Sequence, residues 1–320
     1  MTNCQLIWAE LIHLSTNMWI DREDSRWDHD HVVSPHLRFD SNLWNELVGR
    51  MVEAGVNMVV LDLGDAIQYA SHPEIAVEGA WTVDRMKQEI ARLRELGIEP
   101  NPKLNFSACH DAWLGPYSRM LSTDTYYAVC KDLIGEIIGI FDTPRFFHLG
   151  MDEETYAHQQ HFEYVTIRQF DLWWHDIYFL FKQVEDGGVR PWVWSDYLWH
   201  HPEVFWDKMP KSVLQSNWYY GEPFNREDTY VKAYLDLEEH GYDQVPTGAN
   251  WSCDTNYGDT VKFARENIAP ERLKGFLQTI WRQTTPRWRE KHVTAIEQVA
   301  AARKDVERSS DSSCESSREV

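Results

Sequence analysis

The stretch PRFFHLGMDEE, residues 144–154, combines the features that decide the fold. Pro144 marks a turn, and the apolar run Phe146–Leu149 after it is typical of a short buried strand. Three acidic residues close the stretch, and an amphipathic segment at about 167–185 is typical of a helix. A buried strand followed by a helix is the repeating unit of a parallel sheet with helices packed outside it.

The same unit recurs along the chain. The predicted strands are Leu6–Leu14, Met58–Leu63, Lys103–Phe106, Phe146–Leu149, Trp192–Trp194, Val213–Ser216, Gln244–Ala249 and Phe276–Ile280. Eight strands alternating with helical crossovers in 320 residues predict one (β/α)8 barrel, which we place at residues 1–306. Residues 307–320 are rich in serine and charge and almost free of apolar residues, so we expect a disordered tail.

Composition excludes several classes of partner. The chain has 51 acidic and 31 basic residues, a formal net charge of −20, which disfavours nucleic acid and anionic membrane surfaces. It has no uncharged apolar run long enough to cross a bilayer. The N-terminal residues lack the pattern of a signal peptide, so the sequence predicts a cytoplasmic protein. The sequence leaves the oligomeric state open.

Polar and aromatic residues gather where the predicted strands end. In (β/α)8 barrels the active site is built from the loops at these carboxyl ends. The candidates are Asp62, Asp65, Asn105, His110, His148, Asp152, Glu153, Trp194, Asp196, Trp218, Tyr219, Trp251, Trp281 and Gln283. The chain has 16 tryptophans, and the flat apolar face of an indole suits the C–H face of a sugar ring.

Asp152 and Glu153 are the best candidates for chemistry among these residues. Cleavage of a glycosidic bond needs a proton donor for the leaving oxygen and a group that stabilises the positive charge at the anomeric carbon. Two carboxylates in different environments supply both functions. Acidic residues also favour helix N-termini, and an ordinary helix start is the alternative interpretation.

Several motifs, taken together, resemble the family 20 glycoside hydrolases, the β-N-acetylhexosaminidases. FHLGMDE (147–153) is similar to the family's strand-four pattern of His, an aliphatic residue, two Gly, Asp and Glu, with Met151 in place of the second Gly. NMVVLDLGD (57–65), SHPEI (71–75), GAWT (79–82) and GIE (97–99) resemble further family motifs, in the family's order. Trp194-Ser195-Asp196 and the segment from Gly275 to Trp281 resemble its strands five and eight. The likeness covers most of the barrel.

The resemblance implies a retaining exo-glycosidase that acts on terminal β-linked N-acetylhexosamine without a cofactor or metal. Catalysis would be substrate-assisted, with the sugar's own acetamido oxygen attacking the anomeric carbon. Asp152 would orient the acetamido group, and Glu153 would act as general acid and base. By the same resemblance, tryptophans would wall the sugar (Trp194, Trp218, Trp251 and Trp281), and Tyr219 or Tyr257 would bind the acetamido carbonyl.

The chain departs from the family pattern around the sugar hydroxyls. Strand one offers Glu10 and His13 where the family has an arginine, and Gln283 stands where it has a glutamate after the strand-eight tryptophan. Two other functions therefore stay open. One is a metal-dependent sugar isomerase or epimerase, with ligands Asp62, His110, His148 and Asp152. The other is a sugar-binding barrel without catalysis. The Asp- and His-rich loop of residues 21–36 reads as a solvated loop or lid, with metal binding as its alternative.

Overall fold

The computed structural model describes residues 5–22 and 29–316. Its strands are β1 (Ile7–His13), β2 (Met58–Asp62), β3 (Glu99–Lys103), β4 (Phe146–His148), β5 (Arg190–Trp194), β6 (Leu214–Ser216), β7 (Thr247–Ala249) and β8 (Gly275–Thr279). They form one parallel sheet in the order β6-β5-β4-β3-β2-β1-β8-β7. Parallel bridges from Gln215 to Gln244 and from Trp218 to Thr247 bring its two edges together. The predicted (β/α)8 barrel is confirmed.

The helices follow the strands and pack outside them. They are α1 (Ser41–Ala54), α2 (Val83–Glu95), α3 (Asp124–Ile140), α4 (Tyr156–Gln159), α5 (Asp171–Asp186), α6 (Tyr197–His200), α7 (Pro202–Lys208), α8 (Thr229–Glu239), α9 (Asn256–Asn267) and α10 (Arg289–Ser316). Side-chain caps fix several starts: Asp40 accepts a hydrogen bond from the Leu43 amide, and Thr82 accepts one from the Arg85 amide. The predicted helix from residue 167 begins four residues later, at Asp171.

Strand β3 lies earlier in the chain than the sequence predicts. Its residues are 99–103 rather than 103–106, and they include Pro100 and Pro102, which argue against a central strand. The Glu99 amide donates a hydrogen bond to the Asn57 carbonyl, on the side of β2. Because backbone nitrogens alternate sides along a strand, the nitrogens of both prolines face β4. Strand β4 pairs with β3 only at the register Lys103–His148. The prolines have no amide hydrogen to donate, and they lie on the side where β3 forms few hydrogen bonds with its neighbour.

Alternate strand residues point into the barrel. Its lower part is filled by an apolar cluster that includes Ala9, Leu11, Met58, Val60, Leu214 and Leu277. Above it, toward the carboxyl ends of the strands, lie the buried polar side chains of His13, Asp62, Lys103 and His148. The opposite strand faces pack against the helices in a second, larger cluster. The interior thus becomes polar just below the mouth of the barrel.

Helix α10 ends at Ser316, inside the segment that the sequence predicts to be disordered. Charge pairs one turn apart, Arg303 with Glu307 and Asp305 with Arg308, are of the kind that supports a helix there. Residues 317–320 lie outside the described residues, and the division into barrel and tail stays a prediction. Within residues 5–22 and 29–316, no helix has both the length and the apolar character needed to cross a bilayer.

Candidate active site

The turn after β4 has a strained backbone. Gly150, Met151 and Glu153 all have positive φ angles, of 70°, 74° and 55°. A Cβ atom at Gly150 would overlap the side chain of Asn105, so this position requires glycine. Positive φ costs a residue with a side chain roughly 1–3 kcal/mol, and such strain concentrates at functional sites. The turn is held by hydrogen bonds from the Met151 amide to Asn105 Oδ1 (3.1 Å) and from the Gly150 amide to His148 Nδ1 (3.0 Å).

Asp152 is buried in this turn as an ionised carboxylate. Asn105 Nδ2 donates to its Oδ1 at 2.8 Å, and His110 Nε2 lies 3.3 Å from its Oδ2. Burial alone would favour the neutral acid, but the charge of His110, with smaller contributions from Lys103 and Asn105, holds the pKa of Asp152 well below its usual range. Asp152 therefore keeps its negative charge at neutral pH, although little solvent reaches it.

Glu153 reaches solvent more than its neighbour, because its side chain is 29% exposed. Imidazoles lie near both of its oxygens: His110 Nε2 is 3.4 Å from Oε2, and His158 Nε2 is 3.5 Å from Oε1. The Glu153 amide donates to Asp196 Oδ2 at 2.8 Å, which fixes the strained backbone. Burial, followed by the charge of Asp152, raises the pKa of Asp196 well above its ordinary value.

His110 links the two candidate catalytic carboxylates. Burial by itself would lower the pKa of its imidazole, but the charge of Asp152 and the contacts with both carboxylates raise that pKa to about 10. His110 is therefore an imidazolium at neutral pH. One positive charge is shared between two carboxylates, which offsets their mutual repulsion.

Glu154, the third acid of the motif, is buried and engaged in an ion pair. Its side chain is only 3% exposed and pairs with Arg168, whose Nη2 lies 2.6 Å from Oε2. The Ala108 and Arg168 amides also donate to it. Arg168 in turn contacts the buried Asp176 on α5. Glu154 thus anchors the chain after β4 to Arg168 and, through it, to α5.

Two adjoining cavities open at this mouth. The first, which we call the inner pocket, has a volume of about 310 Å³. Its lining includes Trp19, His31, His110, Asp152, Glu153, Trp218, Tyr220, Trp251 and Trp281. The second, the outer cleft, has a volume of about 700 Å³ and is lined by residues of the loops after β4, β5, β6 and β7. Glu153, His158, Trp218, Tyr220 and Trp251 line both cavities.

Several of the predicted site residues line these cavities. His110, Asp152, Glu153, Trp218, Trp251 and Trp281 line the inner pocket, and Tyr219 and Asp196 line the outer cleft. Trp194 lies beneath the pocket, fully buried, with its ring centroid 5.8 Å from that of Trp281 and 4.4 Å from that of His148. It supports the pocket wall from below.

Other predicted site residues lie outside the lining because partners below the mouth hold them. Lys103 Nζ donates to Asp62 at 2.6 Å, and His13 lies 3.1 Å from the same carboxylate. Asp65 accepts hydrogen bonds from Ser15 and Asn17. Both carboxylates are therefore bonded to other residues of the protein, whereas the sequence predicts that they contact a substrate.

His148 and Gln283 are also set back from the mouth. Burial, reinforced by the charge of Lys103, lowers the pKa of His148 well below its ordinary value, so the ring is neutral and accepts the Gly150 amide. Gln283 is 3% exposed and donates to the Asp30 carbonyl at 2.6 Å, which ties the first loop to the mouth. Residues 23–28 of that loop lie outside the described residues, and its role as a lid or metal site stays a prediction.

Sequence reasoning missed residues that line the pocket. Trp19 comes from the loop after β1, and its ring centroid lies 6.5 Å from that of Trp281. Tyr220 stacks on Trp218 at 5.0 Å and accepts a hydrogen bond from Trp281 Nε1 at 3.0 Å. The alternation of side chains along a strand could have predicted Tyr220, because residues 216, 218 and 220 would lie on the same face. Tyr257, the other tyrosine suggested, is buried against β7, where its backbone adjoins Gly248.

The ligands predicted for a metal do not converge. Asp62 is engaged by the Lys103 ammonium, and His148 accepts a backbone amide. Among the described residues, the group whose ligand atoms come within 4.8 Å of one another is His110, Asp152 and Glu153. A divalent ion there would have to displace the proton of His110, because only a neutral imidazole binds metal.

No family model matches the sequence, and a search of curated proteins finds no relative. Solved structures with a similar fold do exist. The exo-β-N-acetylglucosaminidase of family 20 from Vibrio harveyi matches with a TM-score of 0.64, 13% identity and 92% of this chain covered. The chain has the fold of the family 20 glycoside hydrolases.

Other structures with the family 20 fold agree. The β-N-acetylhexosaminidase from Streptomyces coelicolor gives a TM-score of 0.60 at 14% identity over 91% of this chain, and the chitobiase from Flavobacterium johnsoniae gives 0.63 at 16% over 92%. The alignments cover 54%, 64% and 51% of the Vibrio, Streptomyces and Flavobacterium chains, so this chain spans about half to two-thirds of their length.

Proposed function

We propose that the protein is a retaining exo-glycosidase that hydrolyses terminal β-linked N-acetylhexosamine. The observation that carries the proposal is the arrangement of Asp152 and Glu153. Both lie at the mouth of the barrel, both contact the His110 imidazolium, and both line one small pocket with aromatic walls. The likeness to the Vibrio harveyi enzyme, whose structure was solved with N-acetylglucosamine, supports the choice of sugar.

The environments of the two carboxylates suit different roles in substrate-assisted catalysis. Asp152 is buried and stays ionised, as needed to orient the acetamido group and to stabilise the positive oxazolinium that forms from it. Glu153 is partly exposed and lines both cavities, so it is placed to protonate the leaving oxygen and later to activate water. This assignment puts the sugar in the inner pocket.

Tyr220 is the best candidate to bind the acetamido carbonyl. It lines the inner pocket, and its hydroxyl accepts hydrogen bonds from the Trp281 indole N–H and the Thr279 hydroxyl, so its own proton can be donated to a ligand. Burial raises the pKa of Tyr220 above its ordinary value, so the hydroxyl keeps that proton. The walls of Trp19, Trp218 and Trp281 offer flat apolar faces to the ring.

The test is hydrolysis of a panel of aryl β-glycosides, with and without a 2-acetamido group. We expect turnover only of the acetamido sugars. Glu153→Gln and Asp152→Asn should each lower kcat by about a hundredfold or more, as expected when acid catalysis or charge stabilisation is lost. Glu53→Gln, a change of an exposed acid on α1, is the matched control and should leave kcat unchanged.

Two results would contradict the proposal. A kcat that is unchanged by both substitutions would exclude Asp152 and Glu153 as catalysts. Absence of turnover across the panel, with sugar binding retained in wild type, would instead favour a sugar-binding barrel without catalysis.

A metal-dependent sugar isomerase is the second candidate, favoured by the approach of His110, Asp152 and Glu153 within 4.8 Å. It predicts activity that a chelator abolishes and a divalent ion restores. Glycosidase activity that persists in a chelator would exclude a metal requirement.

A further inference from the structure

Glu10 of β1 is buried on the helix side of the sheet, away from the inner pocket. Its neighbours Ala9 and Leu11 belong to the apolar cluster inside the barrel, and side chains alternate along a strand, so Glu10 faces the surrounding helices. Glu10 is 0% exposed, and neither of its carboxyl oxygens has a hydrogen-bond partner within residues 5–22 and 29–316. Buried polar groups without partners are rare in folded proteins, so this one needs an explanation.

Two other side chains place unpartnered oxygens on the same face of the sheet. Gln278 of β8 is in register with Glu10, and Gly248 of β7 is in register with Gln278, so the three residues form one row across the sheet. Tyr257 of α9 packs over Gly248, where an added Cβ atom would come within 3.1 Å of the tyrosine ring. The Gln278 Oε1 atom and the Tyr257 hydroxyl are buried and, in the part of the chain that the structure describes, make no hydrogen bond. We call Glu10, Tyr257 and Gln278 the buried oxygen cluster.

Hydrogen bonds to α10 fix the orientation of the Gln278 amide. Gln298 of α10 donates through Nε2 to the Asp254 carbonyl at 2.7 Å, and a carbonyl can only accept. The Gln298 Oε1 atom is therefore left to accept a hydrogen bond from Gln278 Nε2, at 2.7 Å. The Gln278 nitrogen thus faces α10, and Gln278 Oε1 belongs to the buried oxygen cluster as an acceptor.

The buried oxygen cluster has more acceptors than donors. An ionised carboxylate and an amide oxygen only accept, whereas the tyrosine hydroxyl has one proton to donate. Burial, followed by the charge of Glu10, raises the pKa of Tyr257 well above its ordinary value, so the hydroxyl keeps its proton. That one proton cannot satisfy the two Glu10 oxygens and the Gln278 oxygen together. Burial alone raises the pKa of Glu10 well above its ordinary value, and no lysine or arginine among the described residues offsets its charge.

We propose that the buried oxygen cluster binds one alkali-metal cation, Na⁺ or K⁺, between the barrel and α9. Carboxylate, amide and hydroxyl oxygens are the ligands that hard cations take in proteins. The single carboxylate matches a single positive charge, because a divalent ion would leave net charge buried away from water. The formal net charge of −20 favours the uptake of cations in general. The bound ion would tie β1 and β8 to α9 and so stabilise the fold.

The first test compares thermal unfolding in NaCl, KCl and tetramethylammonium chloride at one ionic strength. The organic cation screens charge equally but is too bulky for a buried site. We expect Na⁺ or K⁺ to raise the wild-type Tm by about 5 °C at a hundredfold excess over its Kd, with saturation. Glu10→Gln should abolish this difference between the salts, and Glu53→Gln, the exposed control on α1, should keep it. Tyr257→Phe, which removes one ligand, should raise the Kd of the ion by about tenfold.

Both cluster variants should fold, because each replaces a buried polar group that has no partner among the described residues. A crystal soaked in rubidium chloride locates the ion directly, since Rb⁺ scatters anomalously, and we expect its peak in contact with the Glu10 carboxylate. Equal Tm in the three salts, a salt difference that persists in Glu10→Gln, or no rubidium peak at Glu10 overturns the inference. None of these measurements requires turnover, so their outcome is independent of the proposed function.

Discussion

Acidic residues occur both at the end of β2 and in the turn after β4, yet their carboxylates have opposite surroundings. Asp62, at the end of β2, is buried against the Lys103 ammonium and His13. Asp152 and Glu153, after β4, line a cavity and share one imidazolium. Below the mouth, Lys103 of the neighbouring strand neutralises the charge of Asp62, whereas at the mouth Asp152 and Glu153 both line the inner pocket.

The difference shows that an acidic residue at a strand end is only a candidate. What separates a functional acid from a structural one is how fully its neighbours satisfy it. The same contrast occurs between adjacent residues, because Glu154 is paired with Arg168 whereas Glu153 faces both cavities. Substitutions on each side of this contrast should therefore change different properties.

The largest contrast is expected between Glu153→Gln and Glu154→Gln. Glu153→Gln should lower kcat by about 10²–10⁴-fold and leave the melting temperature nearly unchanged, because its proposed role is proton transfer. Glu154→Gln leaves the buried Arg168 guanidinium without its main partner and should cost roughly 3 kcal/mol of stability. Urea unfolding and steady-state kinetics of the two variants measure the changes in stability and in kcat. Equal loss of stability in the two variants would remove the distinction.

The next effect is expected at Asp62, the acid below the mouth. Asp62→Asn leaves the Lys103 ammonium buried without a counter-charge and should lower the free energy of unfolding by about 3–5 kcal/mol. The fraction that remains folded should keep kcat within a few-fold of wild type. Denaturant unfolding with active-site titration checks this. A kcat loss as large as that of Asp152→Asn would place Asp62 in the chemistry after all.

Stability should depend on pH through His110. Its pKa is raised to about 10 in the folded state, above the ordinary value near 6.5, so the stabilisation is complete below pH 6.5. It is lost as pH rises through 10, with a slope of at most about 1.4 kcal/mol per pH unit. Urea unfolding between pH 6 and 10 should show this decline in wild type and a weaker one in His110→Gln. Parallel declines would show that other groups cause it.

The smallest effect is expected at Asp196, which holds the Glu153 backbone. Asp196→Ala removes the acceptor of the Glu153 amide and should lower kcat by about tenfold, the value of one buried hydrogen bond. Asp196→Asn keeps an acceptor oxygen and should recover most of the activity with KM unchanged. Failure of Asn to recover kcat would mean that the acid itself, rather than its hydrogen bond, is required.

Periodic features of the sequence predicted the barrel well. Apolar runs and amphipathic stretches depend on local burial, which repeats along the chain, and the strand-end rule found Asp152, Glu153 and His110. The prediction missed residues 99–102 of β3, which include two prolines and so do not match the pattern of a central strand. Only the short neighbour β4 shows why Pro100 and Pro102 are tolerated.

The details of the pocket depend on contacts between distant segments, and these could not be predicted. Trp19 reaches the pocket from a loop more than 130 residues before Glu153, and no local pattern marks it. Whether Asp62 is structural depends on Lys103 of the neighbouring strand, a pairing fixed by sheet register. The strain at Met151 likewise needs the three-dimensional turn, although its replacement of a glycine was a hint.

The proposed reaction has a fixed order of product release, because the leaving group departs when the oxazolinium forms, before water can attack it. Because Glu153 lines both cavities, the leaving group would depart through the outer cleft, while the oxazolinium stays in the inner pocket. Water must then enter through the space that the leaving group vacates, since the same carboxylate has to activate it. An added acceptor alcohol that occupies the vacated cleft would compete with water, so the enzyme should also transfer sugars to acceptors.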